Sequence, residues 1–176
     1  MIILIGAFDL EQQIGAASTL IWEIKEDMKH FKDKTMGNIC IMGRVTWESI
    51  DEKYRPLNGR KNIIVTSRKD YVVPENVLVA PSLEAALALA EEETLMKEFA
   101  GKDVYICGGQ QLYEAAMPYA DALEVTEIAK IFPTNGKENV RYFPEIDPTM
   151  WYAVHSESNT TEEGLVFDFI RYEKHP

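Results

Sequence analysis

The sequence predicts an α/β protein with one mostly parallel central sheet of about eight strands, an antiparallel C-terminal edge, and helices on both faces. Three observations predict it. Short, continuously apolar runs such as MIILIGAF (residues 1–8) and NICIMG (38–43) recur along the chain, as strands buried on both faces do. Stretches of helical periodicity alternate with those runs, which is the arrangement that crosses over between parallel strands. The last two strand-like segments, near 151–157 and 165–172, suggest a closing hairpin instead.

The elements follow in order. Residues 1–8 read as the first strand and 9–22 as a loop punctuated by Gly15. Residues 24–35 repeat at the helical period, and 38–43 form the second strand. A short helix through Thr46, Trp47 and Ile50 comes next; Trp47, at helical spacing from Ile50, reads as core packing. The turn RPLNG (55–59) leads into KNIIVTS (61–67), the third strand, and 77–80 is the fourth. Ser82 is the N-cap expected to open a helix over 82–99. KDVYICGG (102–109) is the fifth strand, running into a glycine pair and a helix that ends near Pro118; DALEVTEIAK (121–130) is the sixth.

The length of 176 residues suits one domain, and a chain of that size buries roughly 70% of its unfolded surface without staples. Its formal net charge of −11 argues against extended contact with nucleic acid, which needs clustered Lys and Arg. An anionic ligand must therefore be caught by local cations and backbone amides. The two cysteines, Cys40 and Cys107, sit in apolar strand-like runs and read as inert core thiols in a reducing compartment. The three histidines, His30, His155 and His175, are far apart and read as surface residues, so no metal site is expected. The N-terminus lacks a basic region and its apolar run is broken by Asp9, so no signal peptide or membrane span is expected and the compartment expected is the cytoplasm.

Three strand ends are dressed for phosphate. Gly43-Arg44-Val45-Thr46 offers close backbone approach, a cation and a hydroxyl at a helix start; Gly108-Gly109 also precedes a helix; Ser67-Arg68-Lys69 adds a hydroxyl and two cations. Each is a weak signal alone, but three in one parallel sheet of an acidic chain point to a dinucleotide site, without the GxGxxG of a standard Rossmann turn. Asp27 is the other informative residue. Ile24, Met28 and Phe31 form an apolar helical stripe, and Asp27 falls inside it. Periodicity leaves two readings: a wet residue at the stripe's edge, or a shielded carboxylate that pairs with a planar heterocycle's two N–H donors and whose raised pKa suits proton transfer.

The run Ile14-Gly15, Trp22, Asp27, Phe31-Lys32, Ile41-Met42-Gly43-Arg44, Thr46-Trp47-Glu48-Ser49-Ile50 resembles the dihydrofolate reductases. The resemblance continues through Leu57, Gly59-Arg60-Lys61-Asn62-Ile63-Ile64, Ser67, Gly108-Gly109, Tyr113, Val125-Thr126 and Phe143-Pro144, over essentially the whole chain. It implies NADPH-dependent reduction of dihydrofolate to tetrahydrofolate, hence a role in one-carbon metabolism and in thymidylate and purine synthesis, in a monomer of one domain (1–176) whose adenosine-binding portion spans approximately 38–110.

By that resemblance Asp27 holds the pterin and favours protonation at N5, with Thr126 in its hydrogen-bond network and the Trp22 indole holding water nearby. Ile5, Met28, Phe31, Ile50, Leu57 and Cys107 wall the pterin and benzoyl ring, with Lys32 and Tyr113 also on the substrate side. Arg60 takes the glutamate α-carboxylate in bidentate fashion. Arg44, Val45 and Thr46 with Gly109 meet the pyrophosphate; Arg44, Ser67 and Arg68 surround the 2′-phosphate. Ala7, Ile14 and Gly15, with Trp22, line the nicotinamide, and Gly43, Ser49, Thr66, Gly108, Gln110, Gln111 and Leu112 complete the cofactor side.

Some positions depart from the family's pattern. Ile21 replaces the usual Pro before Trp22, the 133–140 connection lacks the usual Gly-Asp pair that partners the 9–22 lid, and Gln110 and Gln111 replace a Gly and a basic residue. Two alternatives stay open at this level. One is a reductase of the same fold acting on another pterin or a riboflavin precursor, which would give Arg60 no carboxylate partner. The other is a folate binder without turnover, or a subunit scaffold, which would have no use for Arg44, Thr46 and Ser67.

Overall fold

The computed structural model describes residues 1–15, 22–96, 98–134, 136 and 138–176. The strands are β1 (Ile2–Phe8), β2 (Gln13–Gly15), β3 (Ile39–Gly43), β4 (Lys61–Val65), β5 (Leu78–Ala80), β6 (Val104–Ile106), β7 (Ala122–Ile128), β8 (Arg141–Tyr142), β9 (Trp151–Thr160) and β10 (Val166–Lys174). The α-helices are α1 (Lys25–Thr35), α2 (Arg44–Ser49), α3 (Leu83–Leu95) and α4 (Gln110–Ala116).

Eight strands form one sheet in the order β5-β4-β3-β6-β1-β7-β10-β9. Its five pairings from β5 through β7 are parallel, while β10 runs antiparallel to both β7 and β9. This is the predicted mostly parallel sheet with an antiparallel closing edge. Strand alternation sends Leu4, Ile39, Ile41, Ile63 and Ile106 to one face, where Ala86 and Ala90 of α3 and Leu112 and Ala116 of α4 cover them. Ile3, Ile5, Cys40, Met42 and Ile64 point to the other face, under Trp47 of α2 and half-buried Phe31 of α1. Each apolar strand thus has a helical cover on both sides, which is why its residues need not alternate with polar ones. Among the described residues no helix is long and apolar enough to cross a membrane.

Several expectations are corrected. The loop expected over 9–22 contains β2, which pairs with β8; strands of three and two residues carry no period that a sequence can display. The helix expected over 82–99 opens at Ser82, whose Oγ accepts from Ala85 N at 3.1 Å, but stops at Leu95. Three glutamates (91–93) and no base in its last turn oppose the helix dipole there, and Phe99 turns into the core. The fifth strand is Val104–Ile106 only, so Cys107 lies just past it, although its N–H still donates to Ile41 O at 2.9 Å. Ile21 and parts of the 9–22 and 133–140 segments lie outside the described residues.

Helix α1 also turns differently from its apolar stripe. Its inward positions are Asp27, His30, Phe31, Lys34 and Thr35, at i, i+3, i+4, i+7 and i+8, while Met28 is 58% exposed. A mainly polar face can turn inward because the sheet offers it polar partners: Lys34 reaches the buried Glu124 carboxylate, which also holds Arg171 at 2.6 Å. His30, expected on the surface, is half-buried and stacked on Phe169 with ring centroids 3.8 Å apart. His155 and His175 are exposed.

Candidate active site

The carboxyl ends of the parallel strands bring the three phosphate-type turns to one edge. Gly43 pairs with Val65 across β3 and β4, and its N–H donates to Gly108 O at 2.8 Å, joining the ends of β3 and β6. Arg44 begins α2 directly after Gly43, and Gln110 begins α4 directly after Gly109. The backbones run close together here: a Cβ on Gly109 would sit 3.4 Å from Thr46 Oγ1. Gly108 has φ +111°, which favours glycine, and a Cβ there would crowd the Tyr113 phenol at 3.2–3.3 Å. Thr66 is buried and Ser67 and Arg68 are exposed just beyond β4, where Arg68 N donates to Thr66 Oγ1 at 3.2 Å. Val45, Ser49 and Gln111 are exposed, and Gly43, Arg44, Thr46, Gly109 and Gln110 are half-buried. Leu112 packs into the core.

Asp27 stands at the neighbouring β1–β7 end of the same edge. Ala7 on β1 pairs with Thr126 on β7, and Thr126 Oγ1 donates to Asp27 Oδ1 at 2.6 Å. Burial pushes the Asp27 carboxyl above its ordinary pKa, and the Thr126 bond pulls the other way without cancelling it. The residue as a whole is half-buried, so the group is shielded yet reachable. Trp22 is buried nearby in sequence, in one apolar cluster with Ile24 and Ala7, and its Nε1 has no hydrogen-bond partner among the described residues. A buried indole N–H of that kind suits a water or ligand acceptor. Ile14 packs on the main core and Gly15 is buried within β2.

Five of the six residues expected to wall a flat ring belong to one apolar cluster: Ile5, Phe31, Ile50, Leu57 and Cys107. Met28 lies outside it, exposed on the adjoining surface of α1, as does exposed Lys32. A hydrogen bond with the free Cys40 thiol, together with burial, raises the Cys107 thiol well above its ordinary pKa, so it presents a neutral wall. Burial likewise keeps the Tyr113 phenol protonated, and its Oη donates to Ile5 O at 2.7 Å.

Arg60 Nη1 donates to Thr35 Oγ1 at 3.2 Å and its Nε donates to Asn58 O at 2.9 Å. Asn62, buried in β4, accepts from Leu57 N and donates to Leu57 O and Arg60 O, all at 2.9–3.0 Å. The resemblance gives these supports no role. A lone Asn inside the apolar run KNIIV was the available signal, because buried amides hold something in place. Glu48 was also unassigned: it accepts from Arg44 Nη1 at 2.7 Å and from Tyr71 Oη at 3.0 Å.

A family model described as dihydrofolate reductase matches residues 1–174. The chain is 40% identical over 163 residues to the dihydrofolate reductase of Neisseria gonorrhoeae, covering 90% of this chain and 89% of that one. It is 38% identical over 176 residues to that of Bacillus subtilis, covering 99% and 95%. Its fold is similar to a dihydrofolate reductase from Enterococcus faecalis complexed with NADP(H) and RAB-propyl, with TM-score 0.83 and 31% identity over 100% of this chain and 97% of that one. With a shielded acid and three phosphate-type turns on one sheet edge, and a family match from end to end, this chain belongs to the dihydrofolate reductase family.

Proposed function

We infer that this chain catalyses the NADPH-dependent reduction of 7,8-dihydrofolate to 5,6,7,8-tetrahydrofolate, feeding one-carbon metabolism and thymidylate and purine synthesis. Family membership supports the reaction, and one observation carries its local chemistry: a shielded carboxyl group, raised in pKa, bonded to Thr126 at the carboxyl edge of the sheet. When bound, NADPH supplies the hydride that goes to the pterin C6.

The residues' roles are our reading. Asp27 accepts the pterin 2-amino and N3–H donors and favours a proton at N5; Thr126 orients the carboxyl, and the Trp22 indole holds the intervening water. Ile5, Phe31, Ile50, Leu57 and Cys107 form the apolar wall, with Met28 and Lys32 at its outer rim and Tyr113 behind it. Arg60, held by Thr35 and Asn58, clamps the glutamate α-carboxylate. That clamp favours folate over a pterin or ribityl compound without a carboxylate.

The residues present fit NADPH: small Gly43, Gly108 and Gly109 let backbone approach, and exposed Ser67 and Arg68 stand beside Arg44 on the same sheet edge. Ala7, Ile14 and Gly15 face the nicotinamide end. Val45, Thr46, Ser49 and Thr66, with Gln110, Gln111 and Leu112 at the start of α4, complete the binding strip. We also read residues 1–176 as one domain with its adenosine portion at approximately 38–110, acting as a cytoplasmic monomer.

The decisive assay follows reduced-nicotinamide absorbance after mixing protein, NADPH and dihydrofolate. A fall well above the uncatalysed rate is expected, and no such fall would remove the reading. Arg68→Gln should narrow the preference for NADPH over NADH by about 3- to 10-fold in kcat/KM, since a hydrogen bond to a charged group is worth roughly 1.5–3 kcal/mol and this side chain is exposed. An unchanged ratio would take Arg68 away from the 2′-phosphate.

A further inference from the structure

Asp9 is a buried acid that the reaction above does not use. It follows β1 directly and is 2% exposed. Its carboxylate accepts four N–H donors. Oδ1 takes Glu11 N at 3.0 Å and Gln13 N at 2.9 Å; Oδ2 takes Gln13 Nε2 at 2.7 Å and Phe132 N at 3.0 Å. Gln13 Nε2 also donates to Phe132 O at 3.1 Å, and Leu10 N donates to Lys130 O at 3.1 Å.

The two oxygens therefore do different jobs. Oδ1 closes the local turn that delivers β2, the strand carrying Ile14 and Gly15. Oδ2 ties that strand to the segment after β7, at Phe132, whose ring packs against Trp22 with centroids 5.5 Å apart. Ala7 belongs to the same cluster as Trp22 and Phe132. One carboxylate thus reaches both sides of the proposed nicotinamide end.

We propose that Asp9 is a positioning residue of the reductase, fixing Ile14–Gly15 and, through Phe132, Trp22 against the nicotinamide end of the cofactor. The inference rests on the reading given under Proposed function. A carboxylate suits the task because every partner is a donor and it alone among side chains accepts on both branches.

Asp9→Asn tests it with little change of shape. Asn keeps one acceptor for the turn but sets an NH2 donor against Gln13 Nε2 and Phe132 N, so the two bonds at Oδ2 are lost while those at Oδ1 remain. Loss of buried charge-assisted bonds should raise the KM for NADPH about tenfold, with the KM for dihydrofolate nearly unchanged. Gln13→Met, which removes one donor and leaves the other three, should move the same KM in the same direction by about threefold. A folded Asp9→Asn variant in which both KM values stay put, or rise together, overturns the proposal. Should that variant fail to fold, an unmoved NADPH KM in Gln13→Met overturns it, and a selective rise supports it. Wild-type protein that does not consume NADPH with dihydrofolate would instead strike down the reading beneath it.

Discussion

Asp27→Asn is expected to slow turnover about 10²- to 10⁴-fold near neutral pH, the usual range for losing a positioned proton-handling group. Asparagine can still accept the 2.6 Å hydrogen bond from Thr126, so the site's shape survives and the lost element is the ionisable proton. NADPH affinity should be nearly unchanged, because the phosphate-type turns lie at other strand ends. Single-turnover absorbance measurements across pH check both points. The defect should shrink as pH falls, since solvent then supplies the proton. In the wild type, hydride transfer should weaken as pH rises through the elevated Asp27 pKa. Equal damage to cofactor binding would mean that Asp27 has been given the wrong place.

The same substitution makes a stability prediction of opposite sign. Because burial raises the folded-state pKa of Asp27, the folded protein binds this proton more tightly than the unfolded chain. Its contribution to stability is therefore fully present below the ordinary Asp value and is lost as pH rises through the folded value. At neutral pH the ionised group weakens the fold, so Asp27→Asn should be more stable than wild type there. Urea unfolding at neutral and at acid pH should show the advantage fading on acidification. A variant less stable at neutral pH would show that the carboxylate is better solvated than its surroundings imply.

Phe143→Ala should cost about 3–5 kcal/mol, the range for deleting a large buried aromatic. Phe143 is 1% exposed, stacks on Phe8 at 5.0 Å and touches the Tyr113 ring at 4.8 Å. At about 2–4 °C per kcal/mol for a chain of this length, melting should fall by about 6–20 °C. The effect should reach the site. Tyr113 Oη donates to Ile5 O, and a Cβ on Gly6 would sit only 2.7 Å from that Oη, so the phenol is gripped from several sides. Removing Phe143 frees one of them. Thermal melts followed by circular dichroism, with Phe143→Leu as the volume-restoring control, check the size of the loss. A cost under about 1 kcal/mol would mean that neighbours collapse into the space.

What the chain displayed openly was its buried strands and their order of appearance. MIILIGAF, NICIMG and KNIIV need no alternation because helices cover both faces, and such runs are visible without knowing the partners. Ser82 announced its helix by cap chemistry. The β2–β8 pair was hidden, since two or three residues cannot show a period and their pairing spans more than a hundred positions. The Leu95 terminus was hidden for a different reason: Phe99 continues the apolar pattern, and only packing shows that it enters the core after the helix has stopped.

In the candidate site, glycines, cations and Asp27 were legible as residue types at strand and helix ends. The sequence by itself determined the parallel-sheet class, the helical covers and the chemistry gathered at the turns, because these depend on local period and side-chain type. Only the tertiary structure decided that α1 turns its polar edge inward, that Thr126 meets Asp27 across 99 positions of chain, and that Asp9 grips Phe132 across 123. Those contacts follow from strand register and helix rotation. Both are set by the fit of distant faces, which no local stretch of sequence contains.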